Sequence, residues 1–142
     1  MNVGKLLRRE PATISPAATC AAAARQMRDA RMGSLVVVES GQPIGMLTDR
    51  DLVVRVVAAG LDAEKATVRD AMSERPIFVS DTQDAAAVLA VMRELAVRRV
   101  PVVNERRALV GVVSLDDLLV ALADELASVA ELVRKESPPA ER

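Results

Sequence analysis

The feature that most constrains this chain is a repeat of its own sequence. Matched residues stand 65 positions apart in most of the chain and 66 apart beyond residue 107, which indicates one extra residue in the turn at 104–107. A repeat of this period predicts two similar folding units that pack against each other. The matched pairs include Ser15 and Ser80, Met27 and Met92, Val37 and Val102, Gly45 and Gly111, Thr48 and Ser114, and Asp51 and Asp117.

Each unit is predicted to have the element order β-α-β-β-α. Runs of β-branched residues predict strands, and Ala-rich stretches that follow Ser or Thr predict helices. In the first unit we expect an extended segment at Thr13 and Ile14, a helix at 17–31 that begins after Ser15 and Pro16, strands at 35–38 and 44–47, and a helix at 49–59. In the second unit we expect an extended segment at 77–79, a helix at 83–97, strands at 100–103 and 109–113, and a helix after Ser114. The predicted fold class is α+β, with two pseudo-symmetric repeats packed sheet to sheet because each small sheet has a face to cover.

The repeat also divides the chain into three parts. Residues 1–66 form the first repeat with an N-terminal helical segment at 3–9, residues 67–123 form the second repeat, and residues 124–142 form a helix extension with a tail that frays from Glu136. The last helix keeps an apolar stripe as far as Val133, whereas its counterpart ends at Gly60. The extra turns predict either burial within the chain or a subunit interface.

Each repeat carries the pattern G-x-x-[ST]-x-x-D between a strand and a helix. Gly45, Thr48 and Asp51 hold these positions in the first copy. A hydroxyl residue at the N-cap and an acidic residue three positions later can exchange hydrogen bonds with the backbone N–H groups there. The same N–H groups and the helix dipole favour an anion such as phosphate. Capping and ligand contact are therefore both open, and Gly45 allows another backbone or a ligand to come close.

The composition excludes several classes of chemistry. The 142 residues include no histidine and one cysteine, Cys20, so zinc sites of the Cys/His type, intramolecular disulfides and Ser-His or Cys-His catalysis are not available. The net charge of −1 weighs against nucleic-acid and anionic-membrane partners. No signal peptide and no run long enough to span a membrane is visible, so we expect a cytoplasmic protein. Phe78 is the one aromatic residue, so the core must be aliphatic.

The doubled unit, with GMLTDRD and GVVSLDD at corresponding places, resembles a tandem pair of cystathionine-β-synthase (CBS) domains, also called a Bateman module. The stretches GSLVVVES, VRRVPVVNE and LTDRDLVVRVVAAGLDAEKATVRDAMS are similar to stand-alone bacterial members of that family. The resemblance covers residues 3–122. It implies a disc-like homodimer and a regulatory ligand that contains adenosine, namely AMP, ADP, ATP or S-adenosylmethionine, with no obligatory cofactor.

The resemblance also implies a ligand-binding role for particular residues. Asp51 and Asp117 match the aspartate that bonds a ribose diol, and Thr48 and Ser114 match the hydroxyl residue beside the phosphate. The segments that flank the base and line the cleft are matched by Thr13, Ile14, Met32, Gly33, Ser34, Leu35, Ile77, Phe78, Arg98, Arg99, Val100 and Pro101. With little aromatic stacking available, adenine would lie between aliphatic side chains such as Ile14, Met32 or Val100.

The two repeats differ at a pair of matched positions in the predicted clefts, so we expect two clefts that are not equivalent. Gly33 and Ser34 stand where the second repeat has Arg98 and Arg99. The arginine pair fits a phosphate contact, through charge-assisted hydrogen bonds, and also fits simple solvated charge. Phe78 fits a core position better than a ligand contact.

Three function classes follow from these residues. The first is a regulatory sensor that binds an adenosine-containing ligand in clefts between the repeats and signals by a conformational shift to an effector protein outside this chain. The alternative is a nucleotide-independent homodimeric interaction protein with vestigial pockets. An enzyme is disfavoured, because the chain has no P-loop and no G-x-G-x-x-G, and the helix dipole explains the acidic residues in the first helical turns.

Overall fold

The computed structural model describes residues 1–7, 10–74 and 77–137 of the chain. Each repeat forms its own three-stranded sheet, in the orders β1-β2-β3 and β4-β5-β6, with one parallel and one antiparallel pair of strands. The strands are β1 (Thr13–Ile14), β2 (Ser34–Glu39), β3 (Gln42–Thr48), β4 (Val79–Ser80), β5 (Arg99–Val103) and β6 (Leu109–Ser114). The predicted α+β fold of two matched repeats is confirmed.

The helices alternate with the strands in the predicted order. The helix expected at 49–59 is α-helical only at its start and continues as a π-helical turn, Val53–Val57, in which the Ala58 N–H donates to the Val53 carbonyl at 2.8 Å. The segment expected as a helix at 3–9 is a 3-10 helix over Val3–Leu6, and residues 8 and 9 lie outside the described residues. The α-helices are α1 (Cys20–Ala30), α2 (Asp49–Leu52), α3 (Val68–Ala71), α4 (Ala85–Leu95) and α5 (Leu115–Glu136).

Helices α1 and α4 begin later than the sequence predicted, because different residues cap them. The Ser15 hydroxyl accepts a hydrogen bond from the Ala17 N–H at 3.2 Å and closes a turn. Thr19 is the true cap of α1, since its hydroxyl accepts from the Ala22 N–H at 3.1 Å. Asp84 does the same for α4. The serine in front of each Ala-rich stretch, Ser15 or Ser80, therefore lies in a turn ahead of the helix and does not cap it.

The hairpin turns explain why the spacing between the repeats changes. The first turn is formed by Ser40 and Gly41, both with positive φ. The second turn is longer and is held by the Asn104 side chain, whose Oδ1 accepts from the Arg106 N–H at 2.9 Å and the Ala108 N–H at 3.0 Å. The extra residue therefore lies in a turn, where it leaves the paired strands unchanged.

Each core is completed by the segment that precedes the other repeat in the sequence. The N-terminal segment (residues 1–7) packs on the second core, where Val3 is buried and the Gly4 N–H donates to the Asp81 carbonyl at 2.9 Å. The linker (residues 66–74) packs on the first core, where Val68 is buried and its N–H donates to the Ala18 carbonyl at 2.8 Å. The two segments therefore tie the repeats together.

Beyond its first turns, α5 has an apolar side that the described chain does not cover. Leu118 is buried, but Leu126 is 70% exposed, Val129 59% and Val133 57%. Of the two explanations for the long helix, burial of these side chains by the described residues is excluded, and the subunit interface stays open. The frayed tail expected from Glu136 falls largely on 138–142, outside the described residues. In the part of the chain that the structure describes, no helix has both the length and the apolarity needed to cross a membrane.

Candidate functional site

Both hydroxyl–aspartate pairs form capping boxes with nearly the same geometry. Asp51 Oδ2 accepts from the Thr48 N–H at 2.9 Å, and the Thr48 hydroxyl accepts from the Asp51 N–H at 3.2 Å. Asp117 and Ser114 repeat these bonds at 2.9 and 3.1 Å. The capping interpretation of the G-x-x-[ST]-x-x-D pattern is therefore confirmed in both repeats.

Capping leaves each carboxylate with capacity for a further partner. Among the described residues no hydrogen bond reaches Oδ1 of Asp51 or of Asp117, and both side chains are half-buried. A carboxylate has two acceptor oxygens with about four lone-pair positions. One oxygen can thus hold the helix start while the other accepts hydroxyl protons from a ligand.

The pair in the first repeat lies in the larger of two clefts, whose volume is about 980 Å³. The start of β5 forms the opposite wall, so the cleft lies between the repeats. Seven of the predicted residues line it: Thr48, Asp51, Ile77, Arg98, Arg99, Val100 and Pro101. These seven residues bring one carboxylate, two guanidinium groups and apolar surface to a lining that holds four carboxylates and five guanidinium groups in all.

The pair in the second repeat lies in the small cleft, of about 400 Å³. Here the opposite wall is the end of α1 and the start of β2, again from the other repeat. Six of the predicted residues line it: Met32, Gly33, Ser34, Arg99, Ser114 and Asp117. The clefts differ as expected, and each combines the hydroxyl–aspartate pair of one repeat with the strand start of the other.

Four predicted residues lie in neither lining. Leu35 is 1% exposed and belongs to the first core, and Ile14 packs against that core. Thr13 is exposed, and its carbonyl accepts from the Gln26 side chain at 2.9 Å. Phe78 is half-buried ahead of β4. Of the aliphatic residues suggested for the adenine, Val100 lines the large cleft and Met32 the small one.

The sequence missed the part that the linker plays in the large cleft. Arg69, Asp70, Met72, Ser73 and Glu74 all line it. Gly45 was the available signal, because it predicted the close approach of a backbone or a ligand. A Cβ built on Gly45 would lie 2.5 Å from the Ser73 carbonyl oxygen, so a backbone makes that approach.

Hydrogen bonds already engage several of the arginines around the large cleft. Arg55 donates to the carbonyls of Ala71 and Met72 at 3.0 and 2.8 Å, and so fixes the linker. Arg69 pairs with Glu39 at 2.8 Å. The exposed pair between Arg98 and Asp116 is longer, at 3.5 Å, and is therefore easily exchanged for a ligand phosphate.

One carboxyl on the rim of the large cleft has a perturbed pKa. The backbone N–H and the hydroxyl of Thr67 both donate to Asp70 Oδ2 at 3.0 Å. These bonds lower the pKa of Asp70 from its ordinary value. The linker therefore presents a stable negative charge beside the arginines.

Comparison with known proteins supports a single family. The family model described as "CBS domain" matches twice, over residues 3–58 and 68–124. An uncharacterised protein of Methanopyrus kandleri is 34% identical over 136 residues, which cover 95% of this chain and 69% of that protein. Hypoxic response protein 1 of Mycobacterium tuberculosis is 41% identical over 101 residues, 70% of each chain.

Solved structures agree with the sequence comparison. A CBS domain protein from Pyrobaculum aerophilum complexed with AMP is 29% identical, with a TM-score of 0.77 over 87% of this chain and 99% of that one. Hypoxic response protein I with two coordinated zinc ions is 33% identical, with a TM-score of 0.75 over 84% and 97% of the two chains. This chain has no histidine and one cysteine, so it cannot form a zinc site of the Cys/His type.

Proposed function

Because this chain belongs to the CBS-domain family, as a tandem pair of CBS domains, we propose that it is a regulatory sensor of an adenosine-containing ligand and not an enzyme. AMP, ADP, ATP and S-adenosylmethionine share the adenosine group that the clefts would bind. The protein would need no obligatory cofactor, and its partners would be this ligand, a second copy of the chain and an effector protein. Nucleic acid and membranes would not be partners.

The observation that carries this proposal is the composition of the large cleft. Asp51 Oδ1 can accept a ribose diol, Arg98 can donate to phosphate, and the half-buried apolar side chain of Ile77 can cover the base. The volume of about 980 Å³ is at the upper end of the range of roughly 300–1,000 Å³ for small-molecule sites. The AMP complex of the relative from Pyrobaculum aerophilum supports the same ligand class.

The expected mechanism is a shift between orientations of the two repeats. Each cleft is formed by side chains of both repeats, so a ligand seated there contacts both at once. A ligand that binds one relative orientation better than another shifts the population towards it. An effector protein would then recognise the favoured orientation.

The test is thermal unfolding with AMP, ADP, ATP and S-adenosylmethionine, with NAD as a further probe. A ligand at about 100 times its dissociation constant should add roughly 2.7 kcal/mol and raise Tm by several degrees. Asp51→Asn and Asp117→Asn are the informative variants, because an amide oxygen still accepts the cap bond but cannot bind a diol as a carboxylate does.

The matched control is Asp124→Asn, which removes an exposed carboxylate from α5 away from the lining of both clefts. We expect the ligand-induced rise in Tm to survive in this control and to shrink in one or both cleft variants. Wild-type protein whose Tm does not respond to any of these compounds would refute the nucleotide function.

The exposed stripe on α5 favours a second candidate, a homodimeric interaction protein whose clefts stay empty. Leu119, Leu122, Leu126, Val129 and Val133 are exposed and follow one another at alternating spacings of three and four residues. This is the spacing that pairs one helix with another like it. A second copy of the chain carries the same stripe by construction, so we propose that two copies pair through α5.

Sedimentation of the wild-type protein and of Leu126→Glu tests the pairing. A charge at the centre of an apolar seam should dissociate the dimer, whereas Ser128→Glu, which adds the same charge on the polar side of α5, should not. A monomeric wild type would refute the pairing. A dimer whose Tm is indifferent to every nucleotide would favour this second function over the sensor.

A further inference from the structure

One side chain contributes to both clefts. Arg99 lies at the start of β5 and lines the large cleft beside Arg98, and it also lines the small cleft beside Ser114, its partner in the β5–β6 register. Its guanidinium reaches across to the first repeat: a Cβ built on Gly33 would lie 3.7 Å from Arg99 Nη2. The side chain therefore stands on the boundary between two sites.

The repeat does not supply a second guanidinium at the matching place. The counterpart of Arg99 in the first repeat is Ser34, which is short and buried. The counterpart of Arg98 is Gly33, where a Cβ would lie 2.9 Å from Asp49 Oδ2. The two clefts thus share one arginine at a position where a symmetric pair of sites would have two.

Arg99 is also well suited to move between the clefts. Among the described residues it forms no ion pair within 4.0 Å, and its side chain is exposed. Arg55 and Arg69 are held by the linker carbonyls and by Glu39. A phosphate in either cleft could therefore attract Arg99 without first breaking an ion pair among the described residues.

We propose that Arg99 couples the two clefts negatively, so that a phosphate-bearing ligand in one cleft withdraws the guanidinium from the other. The inference rests on the proposed nucleotide function and adds a regulatory property to it. After the first ligand binds in the large cleft, Arg31 is the one other basic residue among the described residues that line the small cleft. The second ligand then binds without one charge-assisted hydrogen bond. By linkage, occupancy of the small cleft weakens the large one by the same factor.

The test is calorimetric titration with AMP as the probe. Asp51→Asn and Asp117→Asn each leave one working cleft, and its affinity is compared with that of the second binding step in the wild type. Because a hydrogen bond to a charged group is usually worth more than one factor of ten, we expect the second step to be at least about tenfold weaker than the same cleft measured alone.

Arg99→Gln should bring the ratio between the affinity of a cleft measured alone and the affinity of the second binding step close to one, although it lowers the affinity of both clefts. Arg98→Gln is the matched control, because Arg98 lines the large cleft only; it should lower the affinity of that cleft and leave the ratio unchanged. If the wild type fills both clefts independently, if either single-cleft variant binds no AMP, or if the ratio persists in Arg99→Gln, the coupling is refuted and the sensor function stands. If the wild type binds no AMP, the sensor function is refuted and the coupling with it.

Discussion

Replacing Gly45 by alanine should destabilise the protein by forcing β3 and the linker apart. The added Cβ would lie 2.5 Å from the Ser73 carbonyl oxygen and 3.2 Å from Met72 Sδ. The carbonyl cannot simply rotate away, because backbone hydrogen bonds of 3.3 and 3.0 Å join Met46 and Ser73 in both directions. Something in the backbone must therefore shift.

The second repeat provides a matched control at Gly111. A Cβ there would lie 2.9 Å from the two terminal methyl carbons of Leu7, which belong to a flexible side chain and can turn aside. Neither glycine has a positive φ, so alanine introduces no left-handed backbone strain at either position. The two variants thus differ mainly in whether a backbone or a side chain must yield.

The expected magnitudes follow from that difference. Overpacking costs about 1–3 kcal/mol, and replacing glycine by alanine returns about 0.4–1 kcal/mol through the unfolded state. We expect Gly45→Ala to lose about 1–2 kcal/mol, which lowers Tm by several degrees. Gly111→Ala should stay within about 1 kcal/mol of the wild type.

Urea unfolding followed by circular dichroism measures both variants. The midpoint concentration should fall for Gly45→Ala while the m-value stays constant, since the surface exposed on unfolding does not change. Equal midpoints for the two variants would contradict the assignment of the close contact to the Ser73 backbone. A larger loss in Gly111→Ala would contradict it more strongly.

Three further predictions concern single side chains. Cys20 donates to the Thr67 carbonyl at 3.2 Å, and burial together with Asp70 raises the pKa of its thiol, so a thiol reagent should label the protein only at the rate at which it opens. The stability advantage of wild type over Asp70→Asn should be present at pH 7 and disappear on acidification below about pH 4. The reason is that a carboxyl whose pKa is lowered by folding stabilises the native state above its unfolded pKa and loses that effect as the pH falls through its folded pKa. Urea midpoints measured over this pH range would show the loss. Thr19→Ala should cost about 1 kcal/mol as a lost helix cap, measured by the same unfolding, whereas Ser15→Ala should cost less.

Much of the fold could be predicted because it is encoded locally and encoded twice. The β-branched runs around Val37 and Val102 gave the central strands, and the repeated glycine, hydroxyl and aspartate positions gave the capping boxes. Helix starts were less predictable, because Ser15 and Thr19 are both good caps and only the packed structure selects between them. Short-range chemistry was equally consistent with either start.

The composition of the clefts could be predicted only in part, because pairing between repeats is a tertiary property. The sequence identified Asp51 and Arg98 separately, and nothing in their spacing predicted that they line the same cleft. The contribution of Ser73 was missed because the linker reaches β3 through backbone groups, and Gly45 indicated a close approach without indicating which segment makes it. Arg99 was identified as a ligand contact, but its position between two clefts depends on how the repeats meet.

The N-terminal segment packs on the second core and the linker packs on the first, and this arrangement constrains the order in which the newly made protein can fold. The first core has its linker within reach as soon as Val68 leaves the ribosome, so it can form while the second repeat is still being synthesised. Val3 must wait for its neighbours Val88 and Leu118. At roughly 5–20 residues per second, this apolar segment stays uncovered for on the order of ten seconds. Residues 1–7 are thus made before the rest of this sequence and are among the last of it to reach their native contacts.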